Sequence, residues 1–557
     1  MEKIWLEQYQ DGVPGEINPD SYASVADMLN ASIQRNLDKN AFTNMGNSLD
    51  FASLDKKSKA VAAYLQARGF VKGDRFAIML PNVLQFPVML LGAMRAGLVI
   101  VNVNPLYTAK ELRHILKDSS AKGIVTLNSF AHTVEKAMTA NEHNLDLVIT
   151  TEMGDLFPTV KRCLVNFVVK HVKRMEKKWS ISSAVKFRDL ITQGEIFDFN
   201  PVDIGSDDIA FLQYTGGTTG RAKGAILTNR NMVANISQIL ALVTPLHKEN
   251  GLNTIITPLP LYHIFSLVAN CLTFMCLGSC SILITNPRDI KTFVKELKRQ
   301  PFNGITGVNT LFNALVHDDN FKTVDFSNMF LALGGGMSIQ STVAKEWLDV
   351  TGVPLTEGYG LTEASPVVCV NPLNSDRYTG SIGLPVPSTD IFITDSYGNE
   401  LSVGEEGELW VKGPQVMKGY WNNPEETKEV ITESGWLATG DIAKVDEKGY
   451  VYIVDRKKDM ILVSGFNVYP NEVEEVLASH PAIKEVAVVG VKYKDNTELV
   501  KACIVLEDGY AKIEKKTITD FCRESLTSYK IPRMIEFMDD LPKTNVGKVL
   551  RRELRDE

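Results

Sequence analysis

The sequence predicts an α/β fold: a large N-terminal domain of parallel-type sheets with helices plus a β-rich subdomain, and a small α+β C-terminal domain. Three observations predict it. The chain has 557 residues, more than a single hydrophobic core organises. Short β-branched runs alternate with amphipathic helical stretches through most of its length. The pattern then changes twice, near Gly380 and at the charged segment 455–459.

The runs at 75–79, 98–103, 123–127, 147–150, 281–285 and 329–333 have the length of buried strands. The helical stretches between them imply βαβ units and parallel sheets covered on both faces. From about Gly380, turn signals crowd together at 395–399, 403–407 and 446–449, which gives the β-rich subdomain. The charged segment Asp455, Arg456, Lys457, Lys458, Asp459 follows an apolar strand at 451–454. Beyond it come separate helices (471–479, 516–525) and strands (485–491, 501–506). The boundaries therefore fall at 1–454, 455–459 and 460–557.

Composition narrows the class. Apolar residues make up 44% and charged residues 23%, as in ordinary globular domains. The net charge of −8 argues against nucleic acid as the main partner. Seven cysteines in so long a chain suit free thiols in a reducing cytosol rather than a disulfide framework. Residues 1–18 lack the apolar block of a signal peptide. The most apolar stretch, 253–285, is interrupted by Pro258, Pro260, His263, Asn270 and Gly278. It reads as a buried strand–loop–helix–strand, not a membrane span. A cytoplasmic protein is expected.

The strongest chemical signal is the loop Tyr214, Thr215, Gly216, Gly217, Thr218, Thr219, Gly220, Arg221, Ala222, Lys223, Gly224, placed after the apolar run 209–212. Its glycines let backbone N–H groups approach an anion closely. Its threonine hydroxyls donate hydrogen bonds, and Lys223 adds a positive charge, so a phosphate fits. It is not a Walker A loop, because glycine rather than serine or threonine follows the lysine.

This loop resembles the phosphate loop of the adenylate-forming superfamily, which includes acyl-CoA synthetases, luciferase and peptide-synthetase adenylation domains. Further matches follow in the family's order. Gly334, Gly335, Gly336 and Met337 are similar to the turn against which adenine lies. Tyr359, Gly360, Leu361, Thr362 and Glu363 resemble the motif whose aromatic ring stacks on adenine. There, Thr362 contacts phosphate and Glu363, with Thr215, holds Mg2+. Asp441 and Arg456 match the residues that reach the ribose hydroxyls, and Lys548 matches the adenylation lysine of the C-terminal loop. The chain is most similar to bacterial long-chain fatty acyl-CoA synthetases through the segments 102–107, 259–265, 305–312 and 454–470.

The resemblance implies a long-chain fatty acid–CoA ligase: ATP, fatty acid and coenzyme A give acyl-CoA, AMP and diphosphate through an acyl-adenylate. Same-fold alternatives are a fatty acyl-AMP ligase and a medium-chain or aryl acid–CoA ligase. A non-catalytic nucleotide-binding protein is opposed by the retention of Lys548, Glu363 and Asp441. The family's roles carry over as expectations. Lys223 holds the β- and γ-phosphates, His263 lies beside the substrate carboxylate, and Lys548 neutralises charge at the α-phosphate. The small mobile C-terminal domain pivots about Lys458, and Gly465 and Phe466 then line the coenzyme A path. A homodimer is implied by family analogy alone. Two departures stand out. Arg221 and Ala222 replace a small residue and a proline, and Ala438 replaces a common histidine or arginine; neither removes a group the chemistry requires.

The segment 160–179 holds seven Lys or Arg residues against one acid, Glu176. On a helical wheel most of the basic residues fall on one side, while Leu164, Val168, Val172 and Met175 fall on the other. Two readings are open: a helix packed on its own core, or a peripheral helix on an anionic membrane.

Overall fold

The computed structural model describes residues 2–139, 145–215, 222–463, 466–492, 498–507, 509–510, 513–544 and 547–555. The strands gather into two large sheets, a four-stranded sheet and a small C-terminal group.

One large sheet runs in the order Leu384–Pro385, Val367–Val370, Leu355–Gly360, Leu331–Gly335, Gly304–Gly307, Thr254–Thr257, Cys280–Leu283, Asn40–Asn44, Asn47–Asp50. Its six central strands, Leu355–Gly360 to Asn40–Asn44, are parallel, and antiparallel strands close both edges. The other runs Gly419–Tyr420, Lys223–Thr228, Ile209–Thr215, Val99–Asn102, Arg75–Met79, Gly123–Leu127, Leu147–Thr151, Val185–Lys186. It is parallel from Ile209–Thr215 onward. Every residue of Val99–Asn102 and Gly123–Leu127 is buried, which is why these runs read as continuously apolar rather than alternating.

The apolar stretch 253–285 forms strand Thr254–Thr257, a loop, three joined helical turns and strand Cys280–Leu283. The middle turn, Leu267–Leu272, is wholly buried. No described helix is long and apolar enough to cross a membrane.

The four-stranded sheet, Asp390–Thr394, Gly407–Lys412, Leu437–Val445 and Val451–Arg456, is antiparallel throughout. After the turn at 457–459 the chain forms the hairpin Ile461–Val463/Phe466–Val468. Then come helix Pro470–Ala478 and a three-stranded sheet of Ile483–Lys492, Glu498–Leu506 and Met534–Phe537. Val473, Leu477, Val488, Ile504, Ile518 and Cys522 give this unit a core of its own.

The segment 160–179 departs from a single helix. An α-helix covers Thr159–Phe167, a wider turn continues over Val168–Val172, and Arg174 then adopts a φ of 50°. A left-handed non-glycine residue ends the coil. The N–H of Ser180 is held by Glu135 at 2.9 Å, which carries the chain away from the helix axis. No residue of Thr159–Phe167 or Val168–Val172 is buried.

Candidate active site

Ligands of open α/β sheets gather outside the carboxyl ends of the strands, and the expected residues cluster there. Strand Leu331–Gly335 ends in Gly334 and Gly335, and Gly336 follows with a φ of 79°, a conformation that suits glycine. A Cβ on Gly335 would lie 2.9 Å from the carbonyl of Gly358 and 3.2 Å from the ring of Phe265. Neighbouring strand Leu355–Gly360 delivers Tyr359 and Gly360, and a single helical turn, Thr362–Ala364, presents Thr362 and Glu363. Gly335, Gly336, Tyr359, Gly360, Thr362 and His263 share one cavity. Met337 is half-buried, packed against the core below the turn.

Tyr359 donates its hydroxyl to Asp441 at 2.5 Å. Burial first, then the Asp441 charge, pushes its phenol well above the usual tyrosine range. Asp441 and Arg456 are cross-strand partners on Leu437–Val445 and Val451–Arg456, with Nε and Oδ1 3.3 Å apart. This pairing explains how residues fifteen apart in the chain come to share a site. The register of an antiparallel hairpin places them opposite each other.

Glu363 accepts a 2.8 Å hydrogen bond from Tyr420. Tyr420 also lies under Lys223, whose Nζ is 5.5 Å from the ring centroid, and Lys223 pairs with Glu426. Lys223 is in register with Thr215 on the preceding strand, so the two ends of the phosphate loop are clamped together. The tip itself, Gly216, Gly217, Thr218, Thr219 and Gly220, lies outside the described residues, as does Gly465. Tyr214 turns its ring into the core and donates its hydroxyl to Asp118 at 2.6 Å. Its backbone, rather than its ring, adjoins the loop.

Lys548 comes from the small domain and enters the same cavity. The ideal Cβ position of Gly336 lies 3.6 Å from its Cε. Burial and, next, the Arg456 guanidinium push the ammonium down to about 8. Its loop is a tight turn: the N–H of Lys548 donates to the Thr544 hydroxyl at 3.0 Å, and that of Thr544 to the Lys548 carbonyl at 2.6 Å. From the large domain, Arg288 reaches the carbonyl of Thr544 and Thr310 that of Gly547. His263 is pushed down to about 3, first by burial and then by Lys548. It is a neutral imidazole at neutral pH, with Nδ1 3.4 Å from the N–H of Phe265. Lys458 sits in the turn after strand Val451–Arg456. Burial, then Arg456, lowers its ammonium. Phe466 is exposed on the small domain and stacks on Tyr529 at 4.8 Å; it is not in the wall of the cavity.

Sequence reasoning missed Tyr420, which joins Lys223 to Glu363, and Glu426, which pairs with Lys223. A lone aromatic after a glycine carries no periodic or spacing signal. It also left the apolar end of the cavity unassigned. Helix Asn229–Asn250 lines it with Ile239, Leu242 and Val243, joined by Ala269, Val370 and Leu373. Among the described residues, no three His, Cys, Asp or Glu side chains form a metal cluster. A single carboxylate such as Glu363 suits Mg2+, which binds through one or two carboxylates and completes its shell with substrate phosphate and water.

A large α/β body, a cleft at its strand ends and a small domain that delivers one lysine into that cleft define a two-domain nucleotide-dependent enzyme. Residues 29–421 match the AMP-binding enzyme family and residues 472–548 the AMP-binding enzyme C-terminal domain. The chain belongs to the AMP-binding enzyme family. It is 53% identical to a long-chain-fatty-acid–CoA ligase of Escherichia coli O157:H7, over 100% of this chain and 98% of that protein. A Bacillus subtilis (strain 168) protein of the same name is 38% identical, again over 100% and 98%. Among solved structures, ATP-bound MatB from Rhodopseudomonas palustris superposes with a TM-score of 0.81 at 30% identity, covering 95% of this chain and 98% of that one.

Proposed function

We propose that this chain is a long-chain fatty acid–CoA ligase, forming a carbon–sulfur bond at the expense of ATP. The observation that carries the reading is Lys548, a cation from the small domain held in the cavity among His263, Gly336 and Tyr359. The full-length similarity to curated long-chain-fatty-acid–CoA ligases supports the substrate class.

In the first step a fatty-acid carboxylate oxygen attacks the α-phosphorus of ATP, and diphosphate leaves with the electron pair of the broken P–O bond. Anionic groups must be brought together, so the work is positioning and charge neutralisation. Tyr359 and the turn Gly335, Gly336, Met337 form the adenine site. Asp441, oriented by Tyr359 and Arg456, accepts from the ribose hydroxyls. Lys223 leaves Glu426 for the β- and γ-phosphates. Glu363 and Thr215 would hold Mg2+, which supplies charge neutralisation on the phosphate oxygens. Lys548 meets the carboxylate and α-phosphate, and the arriving anions favour its charged form. His263, neutral beside it, donates a hydrogen bond without adding charge. The hydrocarbon lies against Ile239, Leu242 and Val243.

In the second step the thiol sulfur of coenzyme A attacks the acyl carbon and AMP leaves. Lys548 blocks that approach, so the small domain pivots about Lys458 and brings Gly465 and Phe466 to the cleft. A panel from octanoate to oleate, read by release of diphosphate and AMP and by loss of free thiol, tests the assignment. A rate that peaks at long chains with stoichiometric thiol loss is expected. Diphosphate release with neither free AMP nor thiol loss points to an acyl-AMP ligase, and a peak on octanoate or an aryl acid overturns the long-chain reading.

A peripheral membrane contact belongs to the same proposal. Val160 is 84%, Leu164 61%, Phe167 56% and Val172 65% exposed, in a segment that also carries Lys170, Lys173, Arg174, Lys177 and Lys178. Apolar side chains with a basic border suit the surface of an anionic bilayer, where fatty acids partition. Flotation with vesicles containing phosphatidylglycerol tests it, and Phe167→Glu should release the protein; unchanged flotation removes this surface. The proposal extends to a homodimer, for which light scattering should give twice the chain mass; a single chain mass removes it.

A further inference from the structure

The charge cluster at the junction of the two domains has an asymmetry that the reaction described above does not use. Asp455 closes the last strand of the large domain, Val451–Arg456, and its side chain is 0% exposed. Its Oδ2 accepts the N–H of Asn471, in the first turn of helix Pro470–Ala478, at 2.8 Å. Its Oδ1 lies 3.4 Å from Nη1 of Arg551, just before Leu554 in the C-terminal helix. The amide of Asn471 also reaches the carbonyl of Val454 at 3.3 Å. Two of the three direct partners of this buried carboxylate therefore lie beyond the turn at 457–459; the third, the N–H of Arg456, donates to Oδ1 at 2.7 Å from the same strand.

Arg551 is held differently. Its Nη2 lies 2.8 Å from Glu474 and 2.9 Å from the side-chain oxygen of Asn471, and Nη1 is 3.7 Å from Asp459. Asp459 is paired in turn with Arg555 at 2.7 Å. Glu474, Asn471, Asp459 and Arg555 all follow Lys458 in the chain. A rotation about Lys458 would carry Arg551 with two carboxylates still beside it. Only Asp455 would be left behind, keeping the Arg456 N–H and otherwise facing water, which restores its solvation. A buried pair is costly to break when one charge is stranded without a partner or solvent; here neither is.

We infer that Asp455 is a positioning residue: a releasable latch that holds the small domain in the arrangement with Lys548 in the cleft, and so favours adenylation over thioester formation. The inference rests on the two-conformation reading of the proposed function. Other described cross-domain contacts, Thr310 to Gly547, Arg288 to Thr544, Asn313 to Lys484 and His317 to Glu507, sit in partly buried or exposed positions. Ser341 with Glu475 is exposed as well. Water competes most readily for the exposed ones, whereas at the latch the Asp455 side chain itself is 0% exposed.

The test uses the full chain and its two half-reactions, with Lys548→Ala as reference. Fatty-acid-dependent ATP–diphosphate exchange reports adenylation. Single-turnover transfer from supplied oleoyl-adenylate to coenzyme A reports the second step. Asp455→Ala should lower exchange about tenfold or more while transfer stays at or above the wild-type rate, as expected for a shifted two-state population. KM for the oleoyl-adenylate should not change. Asp455→Asn keeps an acceptor for the Asn471 N–H and loses only the charge, so it should fall between. It also keeps the test open should the alanine variant fold poorly. If Lys548→Ala separates the half-reactions and neither Asp455 variant does, the latch is wrong and the two-conformation reading stands. If Lys548→Ala slows both steps equally, that reading falls and takes the latch with it.

Discussion

Tyr359 and Asp441 are 82 residues apart in the chain, yet the phenol donates to the carboxylate at 2.5 Å. The contact joins a strand of the large parallel sheet to the four-stranded antiparallel sheet. It fixes the position of Asp441, the carboxylate proposed to accept from the ribose. Asp441→Ala should raise KM for ATP by roughly 10- to 100-fold, the worth of charge-assisted hydrogen bonds. Tyr359→Phe, which keeps the ring and loses the donor, should cost less. Steady-state kinetics at saturating fatty acid checks both, and an unchanged KM in Asp441→Ala would contradict the ribose role.

The depressed ammonium of Lys548 makes nucleotide capture sensitive to pH. Burial holds it down to about 8, so raising the pH through that value removes the charge proposed to meet the phosphates. Because kcat/KM reports the free enzyme, kcat/KM for ATP should fall as pH rises past about 8. Lys548→Arg lowers the rate overall, but its guanidinium stays charged, and the alkaline fall should move to higher pH. An unshifted profile in that variant would assign the fall to another group.

Glu357 makes a separate pH prediction, about stability. The Tyr378 hydroxyl lies 2.6 Å from the carbonyl of Ile339 and 3.1 Å from Oε2 of Glu357. It has one proton to give. Both contacts are satisfied together when Glu357 carries a proton itself. Burial, chiefly, pushes that carboxyl up to about 8. The folded chain therefore holds a proton that the unfolded chain releases near ~4.3. The associated stabilisation is complete below the unfolded value and is lost as pH rises through the window to about 8. Unfolding free energy from denaturant titration should decline between pH 5 and pH 8, roughly by 1 kcal/mol or more. Glu357→Gln should flatten that decline, and parallel curves would refute the assignment.

Val243 tests where the hydrocarbon lies. With Ile239 and Leu242 it forms the helical wall of the cavity. Val243→Trp should fill the apolar end and move the preferred acid toward shorter chains, with kcat/KM for oleate falling about tenfold or more and that for octanoate spared. An equal loss on both acids would mean a packing defect instead of a shortened pocket.

The sequence carried the parts of this molecule that depend on local chemistry. The strand runs at 75–79 and 123–127 match Arg75–Met79 and Gly123–Leu127, because apolar β-branched composition and burial coincide in a parallel sheet. Gly336, Tyr359, Asp441 and Lys548 were legible as candidates, and the folded chain brings them around one cleft. What was not legible depends on contacts between distant segments. The Lys223–Glu426 pair and the Tyr420–Glu363 hydrogen bond arise where the edge strand Gly419–Tyr420 docks on Lys223–Thr228, and no spacing rule reports that docking. Helical periodicity continued to Trp179, whereas the coil ends after Val172; the left-handed backbone at Arg174 leaves no mark on a helical wheel.

In the proposed mechanism Lys548 serves bond formation at the α-phosphorus and nothing later. The direct measurement is label exchange between diphosphate and ATP with magnesium and oleate, compared for the native protein and Lys548→Ala. Oleate-dependent exchange in the native protein, reduced about 100-fold or more in the variant, with transfer from supplied oleoyl-adenylate preserved, is the predicted result. Exchange independent of oleate, or exchange that survives loss of Lys548, would contradict the account.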